Sequence, residues 1–233
     1  MQFILYYLWV VSHFVKLGPT KNKPKMSFSI TLCILLITVV VSLYVSEKLE
    51  LKHKMIFNPA KVYYHNEWYR LFSHAFIHAD LLHLGVNMFV LYFFGQYVEK
   101  FFLLKFEGGI GILYFLLLYV GGILFASLPA LRKNRDNPVY NSLGASGAVS
   151  AVLFSSIILD PINTIYIYAA IPMPAIVFGV LYVIYEMYMN KRGGTNVAHD
   201  AHLLGALFGV LFTIILSPKF VIANFIQQIQ QII

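Results

Sequence analysis

Apolar residues along this chain gather into runs whose length approaches the hydrocarbon thickness of a bilayer, and short polar connections separate them. Six runs stand out, at 28–46, 81–98, 110–128, 143–159, 174–189 and 198–216. Several are short for a full span, and the fourth and sixth are rich in small residues. The ten-residue alternation of a membrane barrel is missing, so helices are the way left to satisfy this backbone inside lipid. The pattern predicts an all-α polytopic membrane protein, a compact six-transmembrane-helix bundle over 28–216.

The flanks and connections add detail. Residues 1–27 form an extension, the apolar "MQFILYYLWVVSHFVKL" followed by polar "GPTKNKPK". It lacks a small-residue cleavage site, so a signal peptide fits poorly; an interfacial helix and an over-extended start both remain open. The first connection, 47–80, carries the aromatic-rich "EWYRLFSHAFIHAD" and is expected to form a semi-structured element at the interface. The third, "PALRKNRDNPVYNS", is polar and contains Pro129 and Pro138. The fifth, "NKRGGTNVAHD", holds Gly193 and Gly194 and reads equally as a lid or a plain turn. The tail, 217–233, places Val221, Phe225, Ile229 and Ile232 on one helical face, which predicts an amphipathic helix along the membrane surface.

Composition supports this picture. Hydrophobic residues make up 59% of the 233 and charged ones 12%, more apolar surface than a soluble domain can hide. The net charge of +7 would suit nucleic acid in a soluble protein. Here the lysines and arginines fall between the runs, where loops meet lipid headgroups, so the expected partner is a lipid bilayer and not nucleic acid. A single cysteine, Cys33, excludes an intrachain disulfide and argues against a cysteine-based metal site.

Polar side chains inside apolar runs are costly and draw attention to function. His83 and Asn87 lie four apart, on one face, early in the second run. Ser146 opens the fourth run within "SLGASGAVSAVL", and His202 opens the sixth within "AHDAHLLGALFG". Antiparallel alternation sends the second, fourth and sixth runs across in one direction. At about 1.5 Å of rise per residue the four side chains then share a shallow depth on one side. A serine among small residues also serves helix packing alone, and a lone His or Asn near a helix end often serves an interhelical bond. Their convergence points instead to acyl transfer, with Ser146 as nucleophile and neutral His202 as its base. The side-chain N–H groups of His83 and Asn87, with the backbone N–H of Ser146, would donate to an oxyanion.

These residues resemble the signature elements of the rhomboid intramembrane serine proteases. "HADLLHLGVNM", "GASG" and "AHDAHLLGALFG" are similar to that family's H-x-x-x-N, G-x-S-G and A-H-x-x-G-x-x-x-G elements, in order. "EWYRLFSHAFIHADLLHL" resembles its Trp-Arg loop element and "GQYVEK" its G-x-x-x-E motif. The resemblance implies a serine endopeptidase cutting transmembrane protein substrates within or beside the bilayer, without cofactor or metal. Ser146 and His202 would form a dyad lacking an aspartate, with His83 and Asn87 as oxyanion residues. His78 would line a water-filled mouth, and Trp68 and Arg70 would support the first loop. Gly144 belongs to the serine motif, while Gly147 and Ala151, with Gly205 and Gly209, would let the fourth and sixth helices approach closely. The family's usual orientation implies a multi-pass cell-membrane protein with its site on the extracytoplasmic side. That orientation leaves ten Lys and Arg on the site side against seven opposite, contrary to the positive-inside rule.

Ser150 stands where many members carry an aromatic residue that stacks on the catalytic imidazole, so ring orientation must come from elsewhere. Asp200 lies two residues from His202, hence on another helix face, and is not expected to complete a triad. A catalytically silent relative that binds transmembrane segments is an alternative, although such proteins typically lose the serine or the histidine. A metal-dependent membrane enzyme or transporter is another, since His199 and His202, and His74 and His78, have workable ligand spacings. No H-E-x-x-H occurs, and the carboxylates close to these histidines in sequence are Asp80 and Asp200. The G-x-S-x-G elbow of α/β-hydrolases does not occur around Ser146. Substrates are expected to pass between the second and fifth helices, past Phe94 and Phe178: Pro172 and Pro174 precede the fifth, the Gly193-Gly194 turn follows it, and the resemblance implies entry there.

Overall fold

A computed structural model describes residues 29–107, 109–167, 171–194 and 197–231. The extension 1–27 and Ile232 of the tail's apolar face lie outside the described residues. All six apolar runs fall on helices: α1 Ile30–Ser46, α5 Leu81–Lys105, α6 Ile110–Lys133, α7 Ser146–Leu159, α8 Ala175–Arg192 and α9 His199–Leu216. The first connection holds α2 Leu49–Met55, α3 Pro59–His65 and the short α4 Arg70–Ser73, and the tail forms α10 Pro218–Ile229. By length and composition, α5, α6 and α9 can cross a membrane; α1 and α7 are apolar but shorter. The protein is mostly helical and membrane-spanning.

The expectation of an all-helical chain needs one correction. Thr164–Ile167 (β1) pairs antiparallel with Ile171–Pro174 (β2), Thr164 opposite Pro174. β-branched and aromatic side chains favour the extended form here, and Pro172 and Pro174 cannot supply helical N–H donors. α8 begins directly after, anchored by Ala175 N–H on the Asn163 carbonyl at 2.8 Å and Ile176 N–H on Pro161 at 2.9 Å.

Helix boundaries in α5, α6 and α7 also differ from the pattern. α5 continues past 98 to Lys105, with a π-helical turn at Leu91–Gly95. The charge of Glu99 does not end it, because the carboxylate is buried and fully used. Its oxygens accept from Ile30 N at 2.8 Å, Thr31 N at 3.0 Å and Ser29 Oγ at 2.8 Å, capping the start of α1. Gly95, one turn earlier, makes room: a Cβ there would sit 2.7 Å from Thr31 Cγ2. α6 carries Pro129 within its last turns and runs on to Lys133. Ala130, buried against Phe57 and Val62 of the first connection, holds that turn in place. α7 starts three residues late because Gly144, at φ +114°, lies outside helical backbone.

α7 is the centre of the molecule. Twelve of its fourteen residues are buried, and it packs on α9 and α6 through small residues. A Cβ on Gly205 would fall 2.1 Å from the Gly147 carbonyl oxygen, and one on Gly209 would fall 2.0 Å from that of Ala151. Ser155 and Thr213 add a hydroxyl bond of 2.7 Å across the same seam. The tail helix docks under this core as well as being amphipathic. Val221 is buried, and Asn224 and Gln228 donate to the Leu159 carbonyl at the end of α7, at 2.9 and 3.3 Å.

Gly209→Val should therefore lower stability by about 1–3 kcal/mol or more, as overpacked cores do. Thermal unfolding in detergent should show a reduced Tm, while Val at exposed Gly85, with open space around its Cα, should cost far less.

Candidate active site

The segment before Ser146 is held by the first connection. Phe57 and Ser142 exchange both backbone hydrogen bonds, at 2.9 and 3.0 Å. The Asn58 amide donates to the carbonyls of Pro138 and Tyr140, at 2.9 and 3.0 Å. Arg70 is buried and grips the connection itself, donating to the carbonyls of His53 and Ile56 at 2.8 and 2.7 Å and pairing with Glu67. Trp68 is 52% exposed, outside this clamp. The Gly144 N–H donates to the His74 carbonyl at 2.9 Å, so the three-residue turn His74–Phe76 fixes the backbone two residues ahead of Ser146.

Ser146 is the first residue of α7, where backbone N–H groups lack helical partners and the helix dipole is positive. Its Oγ lies 2.7 Å from His202 Nε2 on the first turn of α9. His83, on the first turn of α5, packs over Gly144 so closely that a Cβ there would meet its Cε1 at 2.6 Å. Asn87 is buried one turn later and donates one N–H to the His83 carbonyl at 3.0 Å. An amide carries two such donors, so one remains for a ligand. The backbone of His83 is itself fixed by the Asp80 cap, at 2.8 Å. Ser146, His202, His83, Asn87 and Gly144 all border one cavity of about 730 Å³. The convergence expected from helix alternation is present in the geometry. α5 contributes Leu82, Val86 and Val90 to that cavity, and α8 contributes Tyr182 and Glu186. Phe94 and Phe178 pack together with Leu153, Phe154 and Ile157 farther along the same two helices.

His78 departs from its expected place. It is buried, does not border the cavity, and joins α1 to the serine loop: Nδ1 lies 3.3 Å from Ser42 Oγ, and Nε2 accepts from Ala145 N–H at 3.4 Å. Burial, helped by the neighbouring His83, lowers its pKa to about 4 against the opposing pull of Asp80. His74 is likewise held at about 4 by burial, with Nε2 3.3 Å from Ser127 Oγ. The two histidines therefore turn to different partners and do not form the ligand pair that their spacing permits.

The carboxylate beside the histidines is neither Asp80 nor Asp200. Asp200 accepts from Ala201 N–H at 2.9 Å, at the start of α9. Glu186 on α8 instead places Oε1 3.0 Å from His202 Nδ1 and Oε2 2.5 Å from His199 Nδ1. Sequence reading passed it over, although a lone carboxylate in the apolar "VLYVIYEMYM" is the kind of signal that marks a buried partner. Tyr182, one turn earlier, bonds Ser150 Oγ at 2.8 Å. The ligand atoms of Glu186, His199 and His202 lie within 4.8 Å of one another, and among the described residues this trio could hold a divalent cation.

A family model described as the rhomboid domain matches residues 65–219. The chain is 33% identical over 183 residues to rhomboid-like protein 11, chloroplastic, of Arabidopsis thaliana, covering 72% of this chain and 60% of that protein. It is 32% identical over 151 residues to RHOMBOID-like protein 12, mitochondrial, of the same plant, covering 58% and 43%. An uncharacterized mitochondrial rhomboid protein of Schizosaccharomyces pombe is 27% identical over 204 residues, covering 66% and 52%. The chain thus spans about half the length of the curated relatives it matches.

The neutral His78 gives a stability signature. Its folded pKa of about 4 lies below the ordinary 6.5, so its contribution is complete above pH 6.5 and is lost as pH falls towards 4. The loss should reach up to about 3 kcal/mol. Thermal unfolding between pH 7 and 4 should show a falling Tm that is less steep in His78→Gln, which keeps an acceptor without the titration.

Proposed function

The chain belongs to the rhomboid family, and we propose that it is an intramembrane serine protease hydrolysing peptide bonds of transmembrane protein substrates within or next to the bilayer. The observation that carries this reading is the 2.7 Å contact between His202 Nε2 and Ser146 Oγ at the wall of the cavity that His83 and Asn87 also border. Ser146 attacks the scissile carbonyl while its proton passes to His202 Nε2. The oxyanion is met by Ser146 N–H, the free Asn87 N–H and the His83 ring. His202 then returns the proton to the leaving amine, and water repeats the cycle on the acyl-enzyme. Proton transfer and oxyanion binding are assigned in this reading to the chain's own side chains and the Ser146 backbone N–H.

The reading takes α1, α5, α6, α7, α8 and α9 as six spans. Short α7, with twelve of its fourteen residues buried, does not need to match the full lipid thickness. The usual family orientation favours the extracytoplasmic side of a cell membrane, while the mitochondrial and chloroplastic relatives favour an organellar membrane as host. Only Ala175, Gly179 and Glu186 of α8's eighteen residues are buried, which supports a substrate path between α8 and α5.

Ser146→Ala and His202→Ala should each reduce cleavage of a reporter transmembrane substrate to background with the fold kept. A serine-reactive fluorophosphonate should label wild type and not Ser146→Ala; cleavage by pure Ser146→Ala protein would remove the serine mechanism. His83→Ala and Asn87→Ala should lower kcat by about 10²–10³-fold each, and wild-type rates in both singles and the double would reject the oxyanion assignment. Phe94→Ala or Phe178→Ala should speed cleavage of embedded substrates without changing labelling by the small probe. Parallel losses in both would mean that these rings only seal the bundle.

A further inference from the structure

We infer that Glu186 is the positioning residue of the site: its carboxylate, clamped by His199, fixes the tautomer and plane of His202 and turns the Ser–His pair into a three-member chain. The inference rests on the reading of Ser146 as nucleophile and His202 as base, and it deepens that reading.

An ionised carboxylate only accepts hydrogen bonds. With Oε1 at 3.0 Å from His202 Nδ1, the proton of that contact sits on Nδ1. Nε2 is then the bare nitrogen, and it faces Ser146 Oγ at 2.7 Å. This is the tautomer a general base requires, and the opposite one would point a proton at the serine hydroxyl. Glu186 is 4% exposed, and a buried carboxylate without partners is strongly disfavoured. Each of its oxygens meets one of these two imidazoles within hydrogen-bond distance. The contact of Oε2 with His199 Nδ1, at 2.5 Å, stops the carboxylate from rotating away.

Ring orientation needs such a device here. Ser150, one turn after Ser146, offers no face for the imidazole to stack on, and its hydroxyl is engaged with Tyr182. A lone bond to Ser146 would leave the ring free to swing about its χ angles. Bonds at both nitrogens, from two different helices, leave it one plane. Glu186 and Tyr182 lie four apart on α8, so the same helix face that meets Ser150 delivers the carboxylate. When His202 takes the serine proton, the carboxylate is already beside the nitrogen on the far side of the ring, with no reorganisation required.

The test uses the full chain in detergent, with Glu186→Leu, Glu186→Gln and Glu186→Asp. Three readouts are the rate of Ser146 labelling by the fluorophosphonate, kcat and KM on the reporter substrate, and the ¹⁵N signals of the His202 ring. Glu186→Leu should slow labelling and kcat by about 10²-fold or more with KM little changed, on the scale of general-base assistance. Glu186→Asp should recover part of that loss, and Glu186→Gln, which keeps an acceptor and the side-chain size, should fall between. The His202 spectrum should report a protonated Nδ1 in wild type and lose that preference in Glu186→Leu. Should Glu186→Leu fail to fold, Glu186→Gln and Glu186→Asp carry the comparison. Wild-type labelling and kcat in the folded variants would overturn the role of Glu186 and leave Ser146 and His202 in place. No labelling of wild type would remove the protease reading, and the His202 tautomer would still decide on Glu186. Labelling abolished by a chelator and restored by Zn²⁺ would make the trio a metal site and overturn the proposal.

Discussion

The contact on which everything else depends is the one between the backbones of α7 and α9. Where Gly205 meets the Gly147 carbonyl and Gly209 meets that of Ala151, even a methyl group would have to occupy space within about two ångströms of an oxygen. Packing of that closeness between apolar helices gains from dispersion along the whole seam, because no side chain holds the axes apart. It also sets the register. With Gly147 opposite Gly205, Ser146 and His202 occupy corresponding first turns, and their side chains close the remaining gap at 2.7 Å. A slide of one turn, about 5.4 Å, would keep the helices packed and destroy the pair.

Around this seam, buried polar groups act as ties between segments distant in sequence. Glu99 joins α5 to the start of α1, Asn58 joins the first connection to the loop before Ser146, and His78 joins α1 to Ala145. Each is deeply buried and would be costly if left unpaired, so each specifies one arrangement of its neighbours. The serine loop alone is held by Phe57, Asn58, His74 and His78, all from the first connection. That connection is long because it builds a platform, and its arginine is consumed inside the platform itself.

The parts of this design that were legible in the sequence are those with a periodic or local signature. Six apolar runs marked six helices, and helix alternation alone put His83, Asn87, Ser146 and His202 on one side at one depth. The seam of Gly147, Ala151, Gly205 and Gly209 followed from the resemblance to a known family, and the structure brings these residues together. What escaped has a common physical origin: it depends on partners far away in the chain. Glu99 read as a polar end to α5 because its acceptors were spent on α1. Pro129 read as a stop because the packing of Ala130 on Phe57 and Val62 cannot be seen from α6. His78 read as a lining residue because its burial comes from Ser42 and Ala145. The hairpin before α8 had only a four-residue apolar stretch on each side, too short to distinguish strand from helix by period. Glu186 was the costliest omission, and its signal was its isolation within an apolar run.

α8 is the least buried of the helices that border the cavity, and its inward polar contacts are Tyr182 on Ser150 and Glu186 on His199 and His202. A helix held by a few polar contacts and a small apolar cluster can be displaced more cheaply than α7 or α9, whose backbones interlock. Yet under the role inferred for Glu186, this same helix supplies the group that orients the base. Displacing α8 to admit a substrate segment would then release the imidazole from its plane, and reseating it would restore the aligned pair. Access and reactivity would be opposed in the open state and joined in the closed one. Water reaching an open cavity would find an unaligned base, whereas a segment seated under a closed α8 would find Ser146, His202 and Glu186 in line. The weakest wall of the bundle would thereby decide when the strongest one, the α7–α9 seam, is put to use.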